Sequence, residues 1–181
     1  MIIGVTGSLA TGKTAVSRML KELGAYVIDA YKIVHGLIDQ TARKKIGSFV
    51  FDDQESLDKL CKIIHPILKR EILRKIRDNK FKKIIVIDAP LLIESGFHKK
   101  CDKLIVVKSG LSKQLERSKR GLGLSKNESL KRIKLQMPLK EKISLADFII
   151  DNNGSLKQTK KQVEKAFKEI AERSKGIPSR H

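Results

Sequence analysis

Short apolar runs alternate with longer amphipathic stretches along this chain, and the alternation sets its architecture. Five runs have strand length: Ile2-Ile3-Gly4-Val5-Thr6, Ala25-Tyr26-Val27-Ile28-Asp29, Ile84-Ile85-Val86-Ile87-Asp88, Lys103 to Val107, and Phe148-Ile149-Ile150-Asp151. The clearest of them, at 84–88, shows no period-two alternation, as expected of a strand covered on both faces. Between the runs, apolar residues recur at helical spacing. Ala15, Val16, Met19, Leu20 and Leu23 mark one helix face that stops at Gly24, and Ala30, Ile33, Val34, Leu37 and Ile38 mark another. From Ser56, Leu57, Leu60, Ile63 and Ile64 lead to His65-Pro66, where proline is expected to stop or kink the helix, and Leu68, Ile72 and Ile76 continue to Asp78-Asn79. Residues 41–55, around Phe49-Val50-Phe51, read as a buried turn or a helix end.

Two further helices are expected between strands four and five. Ser112 is placed as the cap of one bearing Arg117 and Arg120, Gly121-Leu122-Gly123 breaks it, and Ser125-x-x-Glu128 caps a second bearing Lys131, Arg132 and Lys134. Ser155-x-x-Gln158 caps a last helix carrying Val163, Ala166, Phe167 and Ile170, and the tail from Ser174 is expected to fray. The order predicts an α/β fold: a parallel five-stranded sheet flanked by crossover helices. With 181 residues the chain fits one domain, 1–181, with a helical substrate-binding region over 30–80 and a hinged, Arg-rich lid over 112–138.

Composition narrows the partners. There are 39 Lys+Arg against 20 Asp+Glu, a net charge of +19, which attracts polyanions. The basic residues are spread through helices and aromatics make up 4% of the chain, so no stacking platform forms and a nucleic-acid partner is not expected. No apolar run reaches the length of a membrane span, and the chain opens on a strand without an export-signal pattern. Cys61 and Cys101 are too few for a disulfide framework and lack metal-ligand spacing, which fits a reducing cytoplasm. Oligomeric state is not set by any of these features.

The chemistry begins at Gly7-Ser8-Leu9-Ala10-Thr11-Gly12-Lys13-Thr14, which matches G-x-x-x-x-G-K-[ST] between a strand and a helix. Glycines let the backbone wrap an anion so that amides point inward at a helix N-terminus. Lys13 adds charge for the outer phosphates, and the Thr14 hydroxyl suits Mg²⁺. Asp29 and Asp88 end strands two and three at the edge where parallel sheets bind ligands, as Mg²⁺ ligands or as a base for an attacking hydroxyl. The residues leave open a kinase of a small nucleotide-like hydroxyl substrate, a nucleotide or nucleoside kinase, and a nucleotide-gated binding module. A GTPase is disfavoured, because no Asn-Lys-x-Asp stretch exists.

With these motifs the chain resembles the dephospho-CoA kinase family nearly end to end. Beyond the phosphate loop, the resemblance rests on Leu23-Gly24-Ala25 through Ala30, His65-Pro66, Asp88 through Gly96, Arg117 with Arg120, Gln136, Ala146-Asp147, and Ile150 through Ser155. It implies transfer of the γ-phosphoryl of ATP to the ribose 3′-hydroxyl of dephospho-CoA, giving coenzyme A and ADP. By position it implies that Gly7, Ala10, Thr11, Gly12, Lys13, Thr14 and Ala15 hold ATP phosphates, with Arg117 and Arg120 in the lid and Asn152, Asn153 and Gly154 by adenine. Lys13, Asp29, Asp88 and Arg120 are implied as catalytic, Thr14 and Asp88 as Mg²⁺ ligands, and Tyr31, His65, Pro90, Leu91 and Glu94 as facing dephospho-CoA. Three departures stand out. Ser8 and Ala10 replace glycines usual in the family, the arm between Gln40 and Phe49 is short, and Asp29-Ala30-Tyr31 replaces the usual Asp-Ala-Asp, whose second Asp is the family's candidate base.

Overall fold

The computed structural model describes residues 1–37 and 54–174. The Phe49-Val50-Phe51 cluster, the short arm after Gln40 and the tail beyond Ser174 lie outside those residues. Five strands form: β1 (Ile2–Thr6), β2 (Tyr26–Asp29), β3 (Ile85–Asp88), β4 (Lys103–Lys108) and β5 (Phe148–Asp151). The helices are α1 (Lys13–Glu22), α2 (Ala30–Leu37), α3 (Gln54–Asp78), α4 (Leu111–Leu122), α5 (Lys126–Lys134), α6 (Leu139–Ser144) and α7 (Leu156–Ser174). All neighbouring strands pair parallel, in the order β2-β3-β1-β4-β5.

Alternate side chains of each central strand enter two separate cores, which is why the strand runs carry no polar alternation. Ile84, Val86, Ile105 and Val107 pack with Ile3, Val5, Val16, Leu20, Val163 and Ile170, so α1 and α7 cover one face. Ile85, Ile87, Leu104 and Val106 pack with Ile28, Ile72, Leu92, Ile93 and Phe97 on the other. Strand order then places the site. From β1 the chain passes over β3 to reach β2, while β4 lies on β1's other side, so a crevice opens at the C-terminal end of the central strand. The phosphate loop occupies that position.

The structure corrects several local expectations. Residues 54–78 form one helix with Pro66 inside it, so of the expected stop or kink at this proline the stop does not occur. Proline removes a single amide donor, and Leu60, Ile64, Leu68, Ile72 and Ile76 keep four-residue spacing across it, so one continuous packing face outweighs the lost bond. Gly110, not Ser112, caps α4: it is extended at φ −64°, ψ 152°, and its carbonyl accepts the Gln114 amide at 3.1 Å. Helix α6 and the 3₁₀ turn Phe97–Lys100 were not foreseen. Both predicted capping boxes formed, Ser125 with Glu128 and Ser155 with Gln158. Gly123 ends α4 in the left-handed conformation, and a buried Ser118–Ser129 hydroxyl contact of 2.7 Å ties α4 to α5.

Candidate active site

The phosphate loop turns because Gly12 adopts φ +96°, a left-handed conformation costly for residues with a Cβ. A Cβ there would also overlap the side-chain amide of Asn152. Ala10 sits at φ +54° without that freedom. Helix α1 starts at Lys13, so the loop ends on unsatisfied helix N-terminal amides. The Lys13 ammonium arches over the loop, donating to the carbonyls of Gly7 at 3.1 Å and Ser8 at 2.9 Å. Burial pushes its pKa down to about 8; the Asp88 carboxylate pulls it partly back, and Lys142 adds to the lowering.

A clamp from the far end of the chain fixes the loop. Asn152, buried at the end of β5, donates from Nδ2 to the Thr11 carbonyl at 2.8 Å, and its Oδ1 accepts the Thr159 hydroxyl at 2.9 Å. Arg117 donates to the Thr11 carbonyl at 3.3 Å and to the Asn152 carbonyl at 2.9 Å. Asn153 accepts the Gly110 amide at 2.7 Å and takes Lys113 on its carbonyl. A Cβ at neighbouring Gly154 would run into Gln158. Arg120 is not brought to the loop: its side chain is 77% exposed, 3.8 Å from Glu116.

Asp29 and Asp88 are register partners on adjacent strands, and both line a cavity of about 760 Å³ together with Thr14 and Ser17. Desolvation raises the Asp88 pKa, while Ser17 and Lys13 hold it back and Asp29 adds to the rise. Asp29 accepts the Lys32 amide at 3.0 Å. Among the described residues no group of three or more His, Cys, Asp or Glu could hold a metal. An exposed Thr14 hydroxyl beside the Asp88 carboxylate is nevertheless an all-oxygen donor set that fits Mg²⁺, which takes few protein ligands when phosphates supply the rest.

On the other side of the same strand ends, Ala30 and Ala89 open into an apolar pocket of about 240 Å³. Tyr31, His65, Pro90 and Leu91 line it, with Leu60, Ile64 and Leu68 from α3 and Gln136, whose buried Oε1 has no protein partner. Tyr31 is 59% exposed and its ring lies 4.0 Å from that of His35. Burial and Lys69 lower the His65 pKa, against an opposing pull from Glu94. Glu94 opens onto a neighbouring pocket with His65 and accepts the Met137 amide at 3.1 Å.

Sequence reading missed the partner of Glu94. Lys142 is fully buried and spans the Glu94 carboxylate at 2.7 Å and the Pro90 carbonyl at 2.8 Å, which also accepts the Thr6 hydroxyl at 3.1 Å. Burial lowers its pKa and Glu94 counters. Within Leu139-Lys140-Glu141-Lys142 nothing separates this lysine from solvated ones; only α6 packing beside β4 reveals it.

A phosphate loop on the central strand of a 2-3-1-4-5 parallel sheet, with strand-end carboxylates beside it, defines a phosphate-loop kinase. The family model described as dephospho-CoA kinase matches residues 1–43 and 36–158. A dephospho-CoA kinase of Aquifex aeolicus is 38% identical over 191 positions, covering 93% of this chain and 96% of its own. One of Carboxydothermus hydrogenoformans is 38% identical over 186 positions, with 90% of each chain covered. A solved dephospho-CoA kinase of Campylobacter jejuni superimposes with a TM-score of 0.66 at 26% identity, covering 94% of this chain and 97% of the other. The chain belongs to the dephospho-CoA kinase family. The Aquifex alignment runs over more positions than this chain has residues, and the family match divides into two segments that overlap at 36–43.

Proposed function

We propose that the protein transfers the γ-phosphoryl group of ATP to the ribose 3′-hydroxyl of dephospho-CoA, yielding coenzyme A and ADP. The observation that carries this reading is the convergence of Lys13, Thr14, Asp29 and Asp88 at one strand edge, between a phosphate loop and an apolar pocket. ATP phosphates lie in the loop against the α1 N-terminus, with Asn152 and Arg117 holding the loop's shape and Asn153 and Gly154 near the base. Thr14 and Asp88 would hold Mg²⁺, which when bound would supply positive charge against the transferring phosphate. Asp29 takes the proton of the attacking hydroxyl as its oxygen bonds to phosphorus, and ADP leaves. Tyr31, His65, Pro90, Leu91 and Glu94 surround the acceptor, and Lys142 keeps Glu94 and the Pro90 turn in place.

Helices α4 and α5 form the lid. Arg117 already reaches the loop, and Arg120, one turn further along α4, enters on closure to meet the transferring phosphate. Incubation with Mg-ATP and a panel of dephospho-CoA, nucleosides and nucleoside monophosphates tests the assignment. Product is expected from dephospho-CoA with far the highest kcat/KM; a nucleoside or nucleoside monophosphate preferred over it would overturn the reading.

A further inference from the structure

We infer that the cavity beside β2 is the subsite for the acceptor's 5′-diphosphate, gripped by Arg18, Lys21 and Lys32. The inference rests on the acceptor named above. The cavity is polarised: Asp29 and Asp88 stand at its inner end, and Arg18, Lys21, Lys32 and Lys75 line its walls. Lys75 has a carboxylate within reach, Glu71 at 3.9 Å, and Glu71 is itself engaged by Arg74 at 2.6 Å and 3.0 Å. Arg18, Lys21 and Lys32 form no ion pair among the described residues. Arg18, Lys21 and Lys32 are exposed on one concavity and pair with none of its carboxylates, Asp29, Asp88 and Glu71, so a dianion entering between them gains charge-assisted contacts without breaking an ion pair.

Spacing matches the ligand. Thr14, Arg18 and Lys21 stand at i, i+4 and i+7 on one face of α1, so the two cations lie about 6 Å and about 10 Å beyond Thr14 along the helix. Five bonds separate the ribose 3′-oxygen from the first phosphorus of the 5′ arm, a reach of roughly 6 Å at bond lengths of ~1.5 Å, with the second phosphorus roughly 3 Å further. Directions match as well. Ala30 and Ala89 directly follow Asp29 and Asp88 and face the apolar pocket. A ribose whose 3′-hydroxyl meets the carboxylates therefore stands at a fork, with the base entering the apolar pocket and the diphosphate following the cations. The reverse assignment would set a neutral ring against three unpaired cations.

The test is steady-state kinetics on Arg18→Ala, Lys21→Ala, Lys32→Ala and the triple variant, with Lys160→Ala on α7 as a charge-matched control. Loss of charge-assisted phosphate contacts should raise KM for dephospho-CoA by ~10-fold or more in the triple variant. The kcat and the KM for Mg-ATP should stay within about twofold, as should every constant of Lys160→Ala. An unchanged KM for dephospho-CoA, or a loss shared equally with ATP, overturns the proposal. Should the triple variant fail to fold, the parent decides: its KM for dephospho-CoA must rise with ionic strength, and a flat response overturns the proposal. Failure of the parent to phosphorylate dephospho-CoA at all would count against the function instead.

Discussion

Lys13 carries the sharpest consequence at the scale of single residues. With its pKa brought down to about 8 by burial, the free protein loses this charge as pH rises through that value. The kcat/KM for Mg-ATP, which reports the free enzyme, should therefore fall on the alkaline side with a midpoint near 8. Lys13→Arg should remove that limb, since guanidinium does not titrate there, and a limb that persists in it would assign the ionisation elsewhere. Lys13→Ala should fold normally and lose transfer by ~10²-fold or more, as for other donors aimed at developing charge. Asp88→Asn should lower kcat with ATP still bound, because the amide keeps the shape and loses the charge. Tyr31→Asp restores the family pattern beside Asp29 and should raise transfer by ~10-fold, the low end for one positioned base. Transfer that responds to neither substitution would mean the carboxylates do not act as described.

Among the elements, the strand–loop–helix around Gly7 to Thr14 was legible from one eight-residue motif, because the chemistry of wrapping an anion dictates glycine and lysine positions. Its strain was not legible. Ala10 holds a left-handed conformation that costs roughly 1 kcal/mol, so Ala10→Gly should stabilise the protein by up to that amount in chemical denaturation without loss of activity. The α6 element shows the opposite case, invisible in sequence and deep in the structure. Lys142→Met leaves the Glu94 carboxylate, 20% exposed, without its cation and should cost about 3 kcal/mol of stability. Removing both charges in Lys142→Met with Glu94→Leu should recover part of it, and full additivity of the two losses would show that the pair is not coupled. Pro66 belongs here too: local propensity argued for a stop or kink, and a packing face running from Leu60 to Ile76 carried the helix past it.

At the scale of the whole molecule, five strands, their parallel sense and the carboxylates at their ends were readable because buried parallel strands need continuous apolar runs. Strand order was not readable, since no local pattern says which runs pair. It is the order that puts Asp29 beside Asp88 and both beside the loop. Arg117, expected on the lid and at the ATP site, contacts the Thr11 and Asn152 carbonyls, while Arg120 is exposed beside Glu116. The +19 charge has a partial structural reading, because four of its cations, Arg18, Lys21, Lys32 and Lys75, line one solvent-open cavity. What unites these features is a single transfer across one sheet edge, and phosphorus NMR of the protein with Mg-ATP and dephospho-CoA follows it directly. A new phosphomonoester on the ribose 3′ carbon is expected, formed one for one with ADP and absent with Lys13→Ala. ADP accompanied only by inorganic phosphate, or a phosphoester at another position, would contradict that transfer.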